Sequence, residues 1–137
     1  MIALGVGFAG RCTVDELAAL VVSVLAELEA EGWAVPPGGP IAAPERKRGA
    51  GLLEPVAARF GLSPVYVDHD RLQALQPAAS SRSAAAVEAT GLASVAEAAA
   101  LAAAGGYPRL LVPRRARGPA TCAAATDAAE QLQEETP

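Results

Sequence analysis

The chain has 137 residues, a formal net charge of -4, 52% hydrophobic residues and 4% aromatic residues. That length suits one domain with a buried core. The acidic balance and the shortage of stacking rings exclude a general nucleic-acid binder, which needs a basic field and aromatic platforms.

Much of the apolar content is alanine, so the predicted core rests on Leu17, Leu20, Val21, Val24, Leu25, Leu28, Leu53, Val56, Phe60 and the strand residues. Residues 2–8 read as a short buried strand closed by glycines. Thr13-Val14-Asp15-Glu16 is a capping box: the Thr13 hydroxyl and the Glu16 carboxylate satisfy orphan amides at a helix start. Leu17, Leu20, Val21, Val24, Leu25 and Leu28 follow at helical spacing, and Gly32 ends the helix. Residues 36–51 are rich in proline and glycine, carry Arg46-Lys47-Arg48 and leave room for a short strand at 41–43. Residues 52–60 read as a second helix stopped by Gly61, and 65–67 as a strand. Asp68 or Asp70 caps a brief helix through Leu75. Residues 78–83 are small and polar, predicting a mobile loop. Ser94-Val95-Ala96-Glu97 is a second capping box opening a helix to about Ala104, stopped by Gly105-Gly106. Strands are predicted at 110–112 and 120–125, with a basic turn from Arg114 to Arg117 between them. The expected organisation is one domain over 1–125 and a polar tail over 126–137. Strands alternating with helices point to an α/β fold.

Gly5-Val6-Gly7-Phe8-Ala9-Gly10 matches GxGxxG between a strand and a helix, where backbone can approach a pyrophosphate. The acidic residue expected about 20 positions on, at the end of a second strand, is missing, because Glu27, Glu29 and Glu31 fall within the first helix. A tight turn needing small residues explains the glycines equally well, and a phosphate or nucleotide module remains an alternative. Asp68-His69-Asp70 lacks the spaced ligands of a zinc site, and helix capping with an exposed histidine accounts for it. Neither a metal nor a cofactor is expected. Cys12 and Cys122 can form one bridge at most and have no histidine at useful spacing, so both are predicted to be structural thiols. Met1 to Gly10 lacks a charged n-region and a cleavage site. The apolar stretch from Leu17 to Leu28 is too short to span a bilayer. A cytoplasmic protein with reduced thiols and no membrane partner is expected. Arg46-Lys47-Arg48 reads as a solvated run, whereas Arg114, Arg115 and Arg117 between two strands would be fixed at a sheet edge. Guanidinium forks there would pair carboxylates through two parallel hydrogen bonds.

Four ordered blocks resemble the cobalamin-biosynthesis family of CobE and the C-terminal domain of CbiG. They are Gly5-Val6-Gly7-Phe8 with Arg11 and Thr13 to Leu17; Lys47 with Gly51-Leu52-Leu53 and Phe60-Gly61-Leu62; Val87 to Leu101, similar to V-x-E-x-T-G-x-x-S-V-x-E-A-x-A-L; and Leu110 to Arg115 with Ala120 to Ala123. The resemblance implies a three-layer α/β/α domain around a mixed, mostly parallel sheet of about five strands. It also implies a role in building the corrin ring of vitamin B12. Longer CbiG proteins open a lactone ring on a cobalt-precorrin, while CobE proteins are short and stand alone; by length this chain resembles a CobE or a separated CbiG domain. Two departures stand out. Lys47-Arg48-Gly49-Ala50-Gly51 has no acid where the family shows Lys-x-x-Glu, and Gly91-Leu92-Ala93-Ser94 replaces Gly-Val-Gly-Ser.

The ligand implied is an anionic corrin or precorrin intermediate, and other cobalamin-pathway enzymes are the implied protein partners. Arg114, Arg115 and Lys47 would pair its carboxylates. Gly5, Gly7, Arg11, Thr90, Gly91, Ser94 and Thr121 would supply further donors or close backbone approach. If the chain is a hydrolase like cobalt-precorrin-5A hydrolase, Glu88 and Glu97 are the candidate bases. The rival is a non-catalytic accessory protein that holds an intermediate or hands it on. On the first reading, Arg115→Ala weakens precursor binding by about 1.5–3 kcal/mol, the range for hydrogen bonds to charged groups.

Overall fold

Strand β1, Ala3–Phe8, alternates large and small residues, and because successive strand residues face opposite sides, the alternation sorts the two faces of the sheet. Leu4, Val6 and Phe8 join one core with Ile2, while Ala3 and Gly5 turn to the other. The computed structural model of the chain describes residues 2–75 and 95–127. Helix α1, Val14–Ala30, opens on the expected capping box: the Glu16 amide donates to Thr13 Oγ1 at 3.2 Å, and the Thr13 amide donates to Glu16 Oε1 at 3.0 Å. Leu17, Leu20, Val21, Val24 and Leu28 are buried along one side of it, and Gly32, at φ 83°, ends it in the left-handed conformation.

Strand β2, Pro40–Pro44, runs into a 3-10 turn at Glu45–Ala50, followed by helix α2 at Leu53–Phe60 and strand β3 at Ser63–Val67. Helix α3, His69–Ala74, is capped by Asp68, whose Oδ1 accepts from the Arg71 amide at 2.8 Å; His69 is exposed. Helix α4, Val95–Ala104, leads to strands β4, Pro108–Arg117, and β5, Ala120–Asp127. The sheet order is β3-β2-β1-β5-β4. β1 pairs in parallel with β2, and β2 with β3, while β5 lies antiparallel between β1 and β4. Four strands therefore share one direction and β5 alone is reversed. Helices α1 and α2 cover one face, and α3 and α4 the other, giving the three-layer α/β fold with a mixed, mostly parallel sheet.

The second face is built from residues with almost no side chain. Ala96, Ala100, Leu101 and Ala104 pack on Ala3, Ala123 and Ala125, and Val95, Ala98 and Ala99 pack with Ala42, Val67 and Leu72. A Cβ on Gly5 would lie 2.1 Å from the Ala96 carbonyl oxygen and 2.3 Å from the Ala100 nitrogen. Alanine buries little area per residue, but it lets helix backbone come within van der Waals range of sheet backbone, where many weak dispersion contacts add up.

Three expectations are corrected. The segment from Arg114 to Arg117 belongs to β4 rather than to a turn, and the reversal falls at Gly118-Pro119, with Gly118 at φ 57°. Pro113 has no amide to donate, and β4 keeps its partner through irregular pairings between Leu110 and Val112 and between Val112 and Arg115. β5 continues to Asp127, so Thr126, only 2% exposed, is a strand residue and not the start of a tail. The run Arg46-Lys47-Arg48 forms a 3-10 turn with Lys47 half-buried. The loop expected at 78–83, the Ser94 half of the second capping box and residues 128–137 lie outside the described residues. Among the described residues, no helix is long and apolar enough to cross a membrane.

Gly5→Ala forces a methyl group into helix backbone that cannot swing aside. It should destabilise the fold by about 3 kcal/mol, at the upper end of overpacking effects. Gly10→Ala, where a Cβ meets nothing within 4 Å, should change stability by less than about 0.5 kcal/mol. Urea unfolding of the two variants checks the contrast.

Candidate functional site

The chain steps outward from β1 to β2 to β3, crosses back on the opposite face through α4, and enters the far edge as β4. The direction of progress along the sheet therefore changes beside β1, and in open α/β sheets ligands collect at such a point, outside the carboxyl ends of the strands. Gly7 and Phe8 end β1 there. The Thr121 hydroxyl, at the start of β5, donates to the Gly7 carbonyl at 3.2 Å. A Cβ on Gly7 would lie 2.7 Å from Thr121 Oγ1 and 3.8 Å from Val95 Cγ1 in the first turn of α4. Strand end, strand start and helix start thus meet. The first amides of a helix have no intrahelical partner, and its dipole favours negative charge at that end.

The turn after β2 adds a cation. Lys47 Nζ sits 5.3 Å from the centroid of the Phe8 ring, within range of a cation–π contact. Desolvation, reinforced by the like charge of Arg46, holds the Lys47 amine below its ordinary pKa. Arg11, in the turn between β1 and α1, is exposed. Arg11 and Lys47 both act electrostatically on Cys12, but burial first, and then Glu16, push the Cys12 thiol up. Full burial pushes Cys122 up to about 12. Both cysteines are free, buried and protonated near neutral pH, which is the reactivity of structural thiols.

The arginines of β4 do not form one cluster. The Arg115 fork grips Glu27 of α1: Nη2 donates to Oε1 at 2.7 Å, and Nε donates to Oε2 at 3.0 Å. The Arg114 amide instead donates to Glu97 Oε2 on α4 at 3.0 Å. Its Nε is buried and has no hydrogen-bond partner among the described residues. Arg117 lies by Asp15, Glu16 and Gly118 near the start of α1. Strand alternation and the irregular pairing send neighbouring arginines to different surroundings, which a turn would not have done. Glu97 is 0% exposed. It ties α4 to β4 through the Arg114 amide, and a water-activating role finds no support in its burial; the Ser94 partner of the expected capping box lies outside the described residues.

Of the residues selected from sequence, Gly7 and Thr121 meet beside the first turn of α4. Lys47 instead lies over Phe8, whose side chain joins the core on the opposite, α1 and α2 face, and Arg11 stands at the adjoining turn. Gly5 lies deeper, against the α4 backbone, so its small size serves helix packing and leaves no room for a pyrophosphate. The Arg115 fork is engaged by Glu27. The Arg114 amide is engaged by Glu97, while the Arg114 Nε has no hydrogen-bond partner among the described residues. Glu88, Thr90, Gly91 and Ser94 lie outside the described residues. Phe8 escaped notice as a site residue because a lone aromatic at the end of a buried strand reads as core. Its role as a platform for Lys47 depends on β2 pairing beside β1, which no local pattern encodes.

The Glu27 carboxyl is held below its usual range, first by its hydrogen bonds from Arg115 and also by the charge of that guanidinium, against a smaller opposing effect of burial. Because the folded value is depressed, the pair's stabilisation is complete above the unfolded carboxylate value of about 4.3. It is lost as pH falls through the folded value. With side chains 44% and 40% exposed, solvent screening keeps that contribution below about 1 kcal/mol. Glu27→Gln should therefore lower the urea midpoint at pH 7 slightly, and the gap from the unmodified protein should close by pH 3.

Residues 2–125 match the family described as cobalamin synthesis G C-terminus. The fold is similar to the crystal structure of CobE, a protein from the cobalamin (vitamin B12) biosynthetic pathway, at 32% identity and a TM-score of 0.79, over 91% of this chain and 89% of that one. It is also similar to the cobalamin biosynthesis protein chiG from Agrobacterium tumefaciens, at 28% identity and a TM-score of 0.63, over 93% of this chain and 99% of that one. No curated protein sequence matches the chain. With the family pattern running from just before β1 into the second half of β5, this chain belongs to the CobE/CbiG C-terminal family of cobalamin-biosynthesis proteins.

Proposed function

We propose that the chain binds an anionic corrin-ring precursor at the carboxyl ends of β1 and β2. The observation that carries this reading is the placement of Lys47, half-buried over Phe8 at the end of β1; Gly7, Thr121 and the first turn of α4 stand at the same strand end on the opposite face of the sheet. Corrin precursors carry many acetate and propionate side chains, and a cation held at the strand ends recognises carboxylates without needing a deep pocket. Arg11 stands at the rim of the same end of the sheet and offers a second, exposed fork. Arg115 is assigned a structural part, since a substrate carboxylate would have to displace Glu27 from both of its donors.

A hydrolytic role, opening a precursor lactone as in cobalt-precorrin-5A hydrolase, would need a base within reach of water. Of the two acids considered for it, Glu97 is fully buried and bonded to the Arg114 amide. That burial favours the second reading, in which the chain holds a corrin intermediate for pathway enzymes without transforming it.

Visible-absorbance titration with hydrogenobyrinic acid and earlier precorrins tests the proposal. Saturable shifts in the ring spectrum are expected. Lys47→Ala should weaken binding by roughly 10- to 150-fold, the equivalent of about 1.5–3 kcal/mol for hydrogen bonds to a charged group. Arg115→Ala should leave it nearly unchanged. An amidated corrinoid, with its carboxylates neutralised, should bind more weakly than the acid. Loss of binding in Arg115→Ala with Lys47→Ala unaffected would move the site to β4, and no spectral shift with any intermediate would defeat the proposal.

A further inference from the structure

We infer that Glu45, Arg48, Tyr66 and Glu54 form a latch that aims Lys47 at the candidate site, acting as positioning residues for that amine. The inference deepens the proposed binding function and rests on it for its biological meaning. Its geometry stands independently.

Successive side chains in a 3-10 turn point about 120° apart, so two neighbours in the turn after β2 cannot face the same strand. Lys47 goes to Phe8 on β1, whereas Arg48 goes to Tyr66 on β3, with its guanidinium carbon 4.3 Å from the ring centroid. The turn thus straddles β2 with one cation on each flanking strand. Arg48 is further held by both oxygens of Glu45, Nε to Oε1 at 2.6 Å and Nη2 to Oε2 at 2.8 Å. The Tyr66 hydroxyl donates to Glu54 Oε2 on α2. A continuous chain of contacts therefore links the turn, strand β3 and helix α2.

Such a latch answers a need the sequence creates. Gly49-Ala50-Gly51 makes the distal half of the turn permissive, with Gly51 at φ 66°. Lys47 also sits where it is electrostatically uncomfortable, partly out of water and facing the like charge of Arg46, against a smaller favourable effect of Cys12. Left alone, a flexible ammonium in that position relaxes outward into solvent. Surface ion pairs contribute little to global stability, so the latch matters for where Lys47 points far more than for whether the domain folds. A planar guanidinium gripped at its edge by Glu45 and stacked on a ring suits that task, because its direction is fixed in two ways at once.

The test is NMR of the full chain with lysine side chains labelled at Cε, recording the Lys47 Hε shift and its titration. In the unmodified protein the Phe8 ring should shift Lys47 Hε upfield, and the amine should titrate below the free-lysine value of about 10.4. Arg48→Ala should abolish the upfield shift and return the titration toward that value, and Tyr66→Leu should do the same from the other side of the stack. Arg48→Lys should fail to rescue, since it keeps the charge but loses the fork. Arg59→Ala, which breaks a comparable exposed ion pair with Asp15, should leave Lys47 untouched. If Arg48→Ala leaves both Lys47 signals unchanged in a folded protein, the latch is refuted, whatever the corrin titration shows. If Lys47 is released as expected while corrin affinity stays the same, the latch stands and the proposed ligand site falls.

Discussion

Helix α4 rests on β1 at Gly5 with backbone against backbone. That contact sets the distance between the second helical layer and the sheet, and much else follows from it. Any side chain at Gly5 would run into the carbonyl of Ala96 and the main chain of Ala100. The alanines of α4, β2 and β5 preserve the same spacing across three strands. The opposite layer uses the ordinary means, with leucine and valine from α1 and α2 filling the space above Leu4, Val6 and Ile41. One face is thus stabilised mainly by apolar area removed from water, the other by close fit with little area per residue.

The close contact also locates the candidate site. With α4 pressed onto β1, its first turn is brought up to the strand end at Gly7, and Thr121 closes the gap from β5 through the Gly7 carbonyl. The buried Glu97 fixes the other side of the helix by accepting from the Arg114 amide. On the opposite face, the turn after β2 brings Lys47 to the same end of β1 and touches both neighbouring strands. The site is assembled from four segments distant in sequence, each held by something other than the ligand it would meet.

Much of the architecture could be read directly from the chain. The Thr13–Glu16 capping box, the leucine spacing of α1, the stops at Gly32 and Gly61 and the β-branched run at Val65 each act locally, so local pattern was enough. The strand at β1 was also visible, although its glycines read as naturally as a phosphate loop; only the position of α4 decides that Gly5 serves packing. Legibility failed where meaning depended on pairing. Arg114 and Arg115 look like one basic cluster along the chain, but β4 sends one amide to Glu97 and the other fork to Glu27. Arg46-Lys47-Arg48 looks like a uniform charge run, yet the fold gives Lys47 and Arg48 different aromatic partners on different strands. Neither division has a sequence signal, because the partners are supplied by strand order and by the helices packed on the two faces.

The most direct test of the account is to map amide shifts in a nitrogen-labelled sample while hydrogenobyrinic acid is added. The account predicts that the largest perturbations gather at Gly7, Arg11, Lys47, Val95 and Thr121, while Trp33 and Arg109, which line a cleft by the C-terminal end of α1, stay still. Perturbations centred on Trp33 and Arg109, or on Glu27 and Arg115, with the β1 end silent, would contradict it.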